Sequence, residues 1–119
     1  MLSRYQQRYQ EFAQLLEGLQ LQAANSVLAG GKLRQSVQQA QQFFGQQLLT
    51  LDSSDLSPVQ EAQIRAYQTE ISKQLQLLGM DVRFLQAARA QATATNRQTQ
   101  LKSRIETLLS YCNTIVELA

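Results

Sequence analysis

Apolar residues recur along nearly the whole chain at alternating spacings of four and three, and this pattern constrains the fold most. On an α-helix, residues at these spacings lie on one face. Only one proline and five glycines interrupt the 119 residues, which favours long helices over strands and turns. A helix with a single apolar face is unstable alone in water, so the helices must pack against one another.

Four segments carry this pattern, and their predicted bounds are about 4–29, 32–51, 58–91 and 97–118. Gly30 and Gly31 are predicted to stop the first helix, because glycine readily adopts left-handed backbone. Ser57, Pro58 and Gln60 predict a capped start for the third helix. The polar stretch 92–96 predicts the last turn. Because short connections make neighbouring helices antiparallel, we predict an all-α four-helix bundle, one domain over 1–119, with left-handed heptad-type packing.

The supply of residue types argues against catalysis. The chain has no histidine, which is the commonest general base and a common metal ligand. The single cysteine, Cys112, lies on the apolar face of the fourth helix, where a buried thiol is inert. No phosphate, zinc or calcium motif is present. We therefore expect no enzyme activity, no cofactor and no metal, although a metal site made only of carboxylates stays open.

Net charge and hydropathy limit where the protein is expected in the cell and which partners it is expected to bind. The net charge is +2, whereas a nucleic-acid-binding domain usually has a strong basic excess, so nucleic acid is the least favoured partner. No apolar run is long enough for a membrane span. With a lone cysteine and no signal peptide, the chain is expected in the cytoplasm. Glutamine fills 22 of 119 positions and is expected as a neutral surface residue of the helices.

A second apolar strip runs along the third helix, away from its core-facing residues. Its members are Leu77, Met80, Phe84 and Ala87, at spacings of three, four and three. Two interpretations stay open. Either neighbouring helices bury this helix on two sides, or the strip is an exposed ridge for a protein partner or for a homodimer.

Positive charge accumulates at the predicted tip of helices three and four. Between Val82 and Ile105 the chain has five cations and no acid, namely Arg83, Arg89, Arg97, Lys102 and Arg104. Arg97 is expected at a helix start, where the dipole disfavours a cation and an acidic partner would relieve it. Arg89 is expected to continue the core-facing stripe of helix three. A merely solvated surface is the alternative.

These patterns give two sets of candidate residues. The candidate partner-binding residues are Leu77, Met80, Arg83, Phe84, Arg89 and Arg97. The candidate structural polar network is Glu70, Lys73, Asp81 and Arg104.

The stretch 69–89, TEISKQLQLLGMDVRFLQAAR, resembles the central segment of the cyanobacterial heterocyst frequency control proteins, the PatD family. The opening Tyr5-x-x-x-Tyr9-x-x-Phe12 is similar too, as is Arg104 followed by Leu108, Tyr111 and Cys112. The residues that match the central motif are Glu70, Lys73, Asp81, Phe84 and Arg89.

The resemblance spans most of the chain, and it implies a non-enzymatic cytoplasmic regulator. The family is linked to heterocyst patterning and to cell division through the tubulin-like protein FtsZ. On this resemblance we expect a binding module that modulates FtsZ. The alternative is a structural, dimeric assembly adaptor with an unrelated protein partner.

Overall fold

The computed structural model describes residues 3–24 and 30–119. Within them the chain forms helices α1 (Arg4–Ala24), α2 (Gly30–Phe43), α3 (Pro58–Ala87) and α4 (Gln91–Leu118), and no strand. A π-helical turn, Phe44–Leu48, extends α2. Helix α1 packs on α2 and α4, and α3 packs on the same two helices. The predicted four-helix bundle is thus confirmed, with overall dimensions of 50 × 21 × 20 Å. The left-handed crossing stays a prediction.

The predicted apolar stripes meet in one core, which runs the length of the bundle. Its largest fully buried side chains are Tyr9, Phe12, Leu16, Leu19, Leu33, Leu48, Ile64, Ile71, Leu78, Leu101, Ile105 and Leu108. Tyr67 and Leu85 of α3 are only half-buried and pack on the edge of this core. Burying such side chains is the main force that holds the helices together.

The predicted capping box at the start of α3 forms. The hydroxyl of Ser57 accepts from the Gln60 N–H at 3.1 Å, and the Gln60 side-chain oxygen accepts from the Ser57 N–H at 2.9 Å. Ser3 and Gln6 repeat this arrangement at the start of α1. These bonds satisfy backbone N–H groups that the first turn of a helix otherwise leaves free.

Glutamine side chains also link one helix to another, a role that the sequence does not predict. Nε2 of Gln60 donates to the Leu118 carbonyl at 2.9 Å. Nε2 of Gln6 donates to the Val116 carbonyl at 3.2 Å. Further links run from Gln41 to the Leu75 carbonyl, from Gln68 to the Tyr9 hydroxyl, and from Gln98 to the Ala23 carbonyl. The glutamine bias therefore contributes to helix pairing as well as to a wettable surface.

The boundary between the first two helices differs from the prediction. Gly30 and Gly31 lie in the first turn of α2, and no glycine of the described residues has a positive φ. The prediction of a left-handed stop at these glycines is therefore wrong. Helix α1 is described to Ala24, and its predicted continuation to residue 29 lies outside the described residues.

Helix α2 ends in the π-helical turn rather than running regularly to residue 51. The Leu49 N–H donates to the Phe44 carbonyl, five residues back, at 3.0 Å. Ala40, Phe44 and Leu48 follow one another at spacings of four, which overshoot a regular helical turn. The wider turn keeps Phe44 and Leu48 buried on the same face.

The connection between α3 and α4 is shorter than predicted and lies earlier in the chain. Helix α3 ends at Ala87 rather than residue 91, and Ala88 has extended backbone. Helix α4 already begins at Gln91, so the predicted turn 92–96 is helical. The Thr95 hydroxyl donates to the Gln91 carbonyl at 2.9 Å, so it bonds within the helix instead of capping it.

Candidate functional site

The second apolar strip of α3 lies on the outer face of the bundle. Met80 and Phe84 are 46% and 45% exposed, while Leu77 is half-buried. Leu78 and Val82 point the other way and are buried in the core. The interpretation that neighbouring helices bury α3 on two sides is therefore wrong for Met80 and Phe84. Two large apolar side chains one turn apart instead form an exposed ridge.

Arg97 of α4 covers one side of this ridge. Its guanidinium carbon lies 4.5 Å from the centre of the Phe84 ring, a cation–π contact. Its Nη1 donates to Oε1 of Gln100 at 3.2 Å. Because α4 begins at Gln91, Arg97 lies in the second turn, so the predicted conflict with the helix dipole is wrong. The fold instead fixes a positive charge against an exposed aromatic ring.

Arg83 lies on the other flank of the ridge, facing α2. It lines a cleft of about 70 Å³ together with Arg34 of α2, and Gly79 is also part of the lining. Arg34 is not among the residues predicted from the sequence, because only the packing of α2 beside α3 brings residues 34 and 83 together. Cations therefore lie on both sides of the ridge.

Arg89 lies in the short connection after α3 and is exposed. The expectation that it continues the core-facing stripe is wrong, because the helix ends two residues earlier. It lines a depression of about 440 Å³ at the end of the bundle, beside Leu33 and Leu85. Its charge therefore lies at the same end as Arg83 and Arg97.

We call this region the basic end, and its members are Lys32, Arg34, Arg83, Arg89 and Arg97. It gathers the start of α2, the end of α3 and the start of α4. The only acid in the last two turns of α3 is Asp81, and the residues between α1 and α2 carry no charge. Acids cluster at the opposite end instead, at Asp52, Asp55, Glu61 and Glu117.

The predicted polar network forms only in part. Nε of Arg104 donates to Oδ2 of Asp81, and Nη1 of Arg104 lies 3.4 Å from Oε1 of Gln74. Asp81 is 3% exposed, so this ion pair lies at the edge of the core. Glu70 and Lys73 are exposed and form no ion pair among the described residues. Arg104 is neutralised by Asp81, which removes one of the five predicted cations from the tip.

The remaining candidate positions carry little chemistry. Cys112 is buried, and desolvation raises the pKa of its thiol to about 12, as expected for a thiol packed in a core. No cluster of three potential metal ligands occurs in the described part of the chain. A groove of about 610 Å³ lies between the π-helical turn and α3, where Leu49 is 53% exposed. Its polar lining includes Ser72 and Lys73.

Within the described ranges, no helix combines the length and the apolar character that crossing a membrane requires. Comparison with models of protein families, with characterised proteins and with solved structures finds no match for the chain. The resemblance to the heterocyst frequency control proteins therefore stays a prediction from the sequence.

Proposed function

We propose that this chain is a non-catalytic binding module that docks an acidic segment of a partner protein on the outer ridge of α3. One observation carries the proposal. Met80 and Phe84 are each nearly half exposed, and Arg97 is fixed over the Phe84 ring. Exposed aromatic and methionine side chains flanked by arginine are typical of residues that dominate protein interfaces.

Electrostatics supports an acidic partner. Arg83, Arg89 and Arg97 surround the ridge, and none of them has an ion-pair partner among the described residues. Unneutralised charges of one sign raise the rate at which an oppositely charged partner arrives. The apolar ridge would then supply most of the affinity, because exposed ion pairs contribute little.

The partner that we propose is FtsZ, and the setting is the cytoplasm of cyanobacteria. The support is the resemblance over residues 69–89, which includes Phe84 and Arg89 of the proposed surface. An acidic, flexible C-terminal region, common among proteins that resemble FtsZ, is complementary to the basic end. Modulating division in this way would influence how often heterocysts form.

A homodimer through the same ridge is the alternative, and charge opposes it. A two-fold contact brings identical patches together. The contact would therefore gather the arginines of both copies, Arg83 and Arg97 among them, with no exposed acid of the ridge to neutralise them. Light scattering tests this: we expect a monomer, and a dimer that Phe84→Glu dissociates would favour the adaptor.

A pull-down with purified FtsZ tests the main proposal. The variant Phe84→Glu, Arg89→Glu reverses charge and polarity on the surface, and we expect it to lose binding. The matched control is Val59→Glu, Arg4→Glu, because Val59 is 68% exposed and both residues lie at the opposite end of the bundle. Equal retention of FtsZ by both folded variants would contradict the proposed surface.

A further inference from the structure

The cleft between α2 and α3 has a composition that the proposed partner surface does not explain. It lies on the flank of the ridge opposite Arg97, and its volume is about 70 Å³. Its lining residues are Arg34, Val37, Gln38, Gln41, Gly79, Val82 and Arg83. Two cations and two amides thus surround a space that would hold about two water molecules.

The two arginines of the cleft are held together by the fold and not by a shared acid. Arg34 and Arg83 form no ion pair with any described residue. Like charges on adjacent helices repel each other, so an anion between them would remove an unfavourable interaction. The planar guanidinium group binds carboxylate and phosphate oxygens through two parallel hydrogen bonds.

Gly79 keeps the floor of the cleft open. A Cβ added at this position would lie 3.2 Å from Nε2 of Gln41, which is tighter than ordinary contact. That nitrogen already donates to the Leu75 carbonyl at 3.1 Å. An amide nitrogen has two N–H groups, so Gln41 retains a second donor beside the two arginines.

We propose that Arg34 and Arg83, assisted by Gln41, bind the phosphate group of a phosphate monoester. A cleft of this size suits a single small oxyanion, and the rest of the ester would lie outside it. Two guanidinium groups match the charge of a phosphate monoester, which is about −1.5 to −2 at pH 7, better than that of a single carboxylate. The inference goes beyond the proposed role in division, because it needs neither Phe84 nor FtsZ.

The test is a titration of the full-length, ¹⁵N-labelled chain with inorganic phosphate, with ionic strength held constant by sodium chloride. The arginine Nε–H and glutamine amide signals report directly on the groups that would bind. We expect saturable shifts confined to Arg34, Arg83 and Gln41, and clearly weaker binding of acetate. Shifts that rise without saturation, or that occur equally at all arginines, would overturn the proposal.

Variants distinguish phosphate binding at this cleft from a general effect of anions on the charged surface. Arg34→Gln or Arg83→Gln should weaken phosphate binding about tenfold, which corresponds to one charge-assisted hydrogen bond. Arg65→Gln is the matched control and should leave the affinity unchanged, because Arg65 pairs with Glu61 in another part of α3. Equal losses in Arg34→Gln and Arg65→Gln would contradict the proposal.

Two further arms identify the source of the phosphate and keep the two proposals distinct. Tighter binding of a phosphoserine peptide than of inorganic phosphate would indicate a phosphorylated protein, whereas equal affinity would indicate a free phosphate compound. Phe84→Ala adds no charge beside Arg83, so it should leave phosphate affinity unchanged while it weakens FtsZ binding. Gly79→Ala should weaken phosphate binding, because the added Cβ displaces the Gln41 amide.

Discussion

Arg104 of α4 and Asp81 of α3 form an ion pair in which the aspartate side chain is 4% exposed and the arginine side chain 26%. The pair joins two neighbouring helices at the level of the exposed ridge, because Asp81 directly follows Met80. Gln74 supplies a further acceptor to the same guanidinium. The end of α3 that carries Met80 and Phe84 is therefore fixed against α4 from within.

Removing Arg104 and removing Asp81 should lower the free energy of unfolding by different amounts. Arg104→Ala leaves a buried carboxylate without its cation, and we expect the free energy of unfolding to fall by about 3 kcal/mol. Asp81→Asn should cost only about 1–2 kcal/mol, because the partly exposed arginine can turn towards water. Urea denaturation followed by circular dichroism measures both losses. A loss of less than about 0.5 kcal/mol for Arg104→Ala, which is typical of an exposed ion pair, would contradict this account.

The double variant Asp81→Leu, Arg104→Met tests whether apolar side chains at these two positions can replace the buried ion pair. Replacing a buried ion pair with apolar side chains is often neutral. We therefore expect the double variant to be more stable than Arg104→Ala in the same urea titration. A double variant that is no more stable than Arg104→Ala would contradict this account.

Gln60 should matter more than its position in a capping box suggests. Ser57→Ala removes one cap and should cost about 1 kcal/mol. Gln60→Ala removes the reciprocal bond and also the link to the Leu118 carbonyl, so we expect about 2 kcal/mol. Thermal unfolding compares the two variants. Gln63→Ala, on the exposed side of the same helix, is the control and should change stability little.

The buried thiol predicts a loss of stability at alkaline pH. The pKa of Cys112 rises from its ordinary value of 9.0 to about 12 because burial disfavours the thiolate. Since the unfolded chain ionises first, this contribution is complete below pH 9 and is lost as the pH rises from 9 towards 12. The wild type should lose about 1 kcal/mol more than Cys112→Ala between pH 9 and 10.

Comparison with Cys112→Ala is necessary because burial also raises the pKa of Tyr9. The largest cause of that shift is the burial of Tyr9, which Cys112→Ala leaves in place, so most of the tyrosine's contribution cancels in the difference. Parallel stability curves for the two proteins over this range would contradict an inaccessible, protonated thiol. Rapid alkylation of the folded wild type would contradict it as well.

Local patterns predicted those parts of the fold in which the sequence itself dictates the backbone. The apolar spacing identified the core faces, and Ser57 and Pro58 located the start of α3 to the residue. The prediction of a helix end at Gly30 and Gly31 was wrong, because glycine permits a left-handed stop without requiring it. The end of α3 at Ala87 has no glycine or proline to mark it in the sequence.

The sequence predicted which residues of the candidate site share a face of one helix, but not which residues of different helices come together. Periodicity alone placed Met80 and Phe84 on one face, away from the core. The contact of Arg97 with Phe84 and the approach of Arg34 to Arg83 depend on how α4 and α2 pack beside α3. The predicted polar network grouped Asp81 with Arg104, but no spacing along the chain indicates that these two form the ion pair while Glu70 and Lys73 do not, since 23 residues separate them.

The most direct test of the central claim is an NMR titration of the ¹⁵N-labelled chain with purified FtsZ. We expect signal loss to centre on the amides of Met80 and Phe84 and on the Arg97 side chain, and to weaken as salt is added. Signal loss centred instead on Leu49 and the groove beside Ser72, or no change at saturating FtsZ, would contradict the claim.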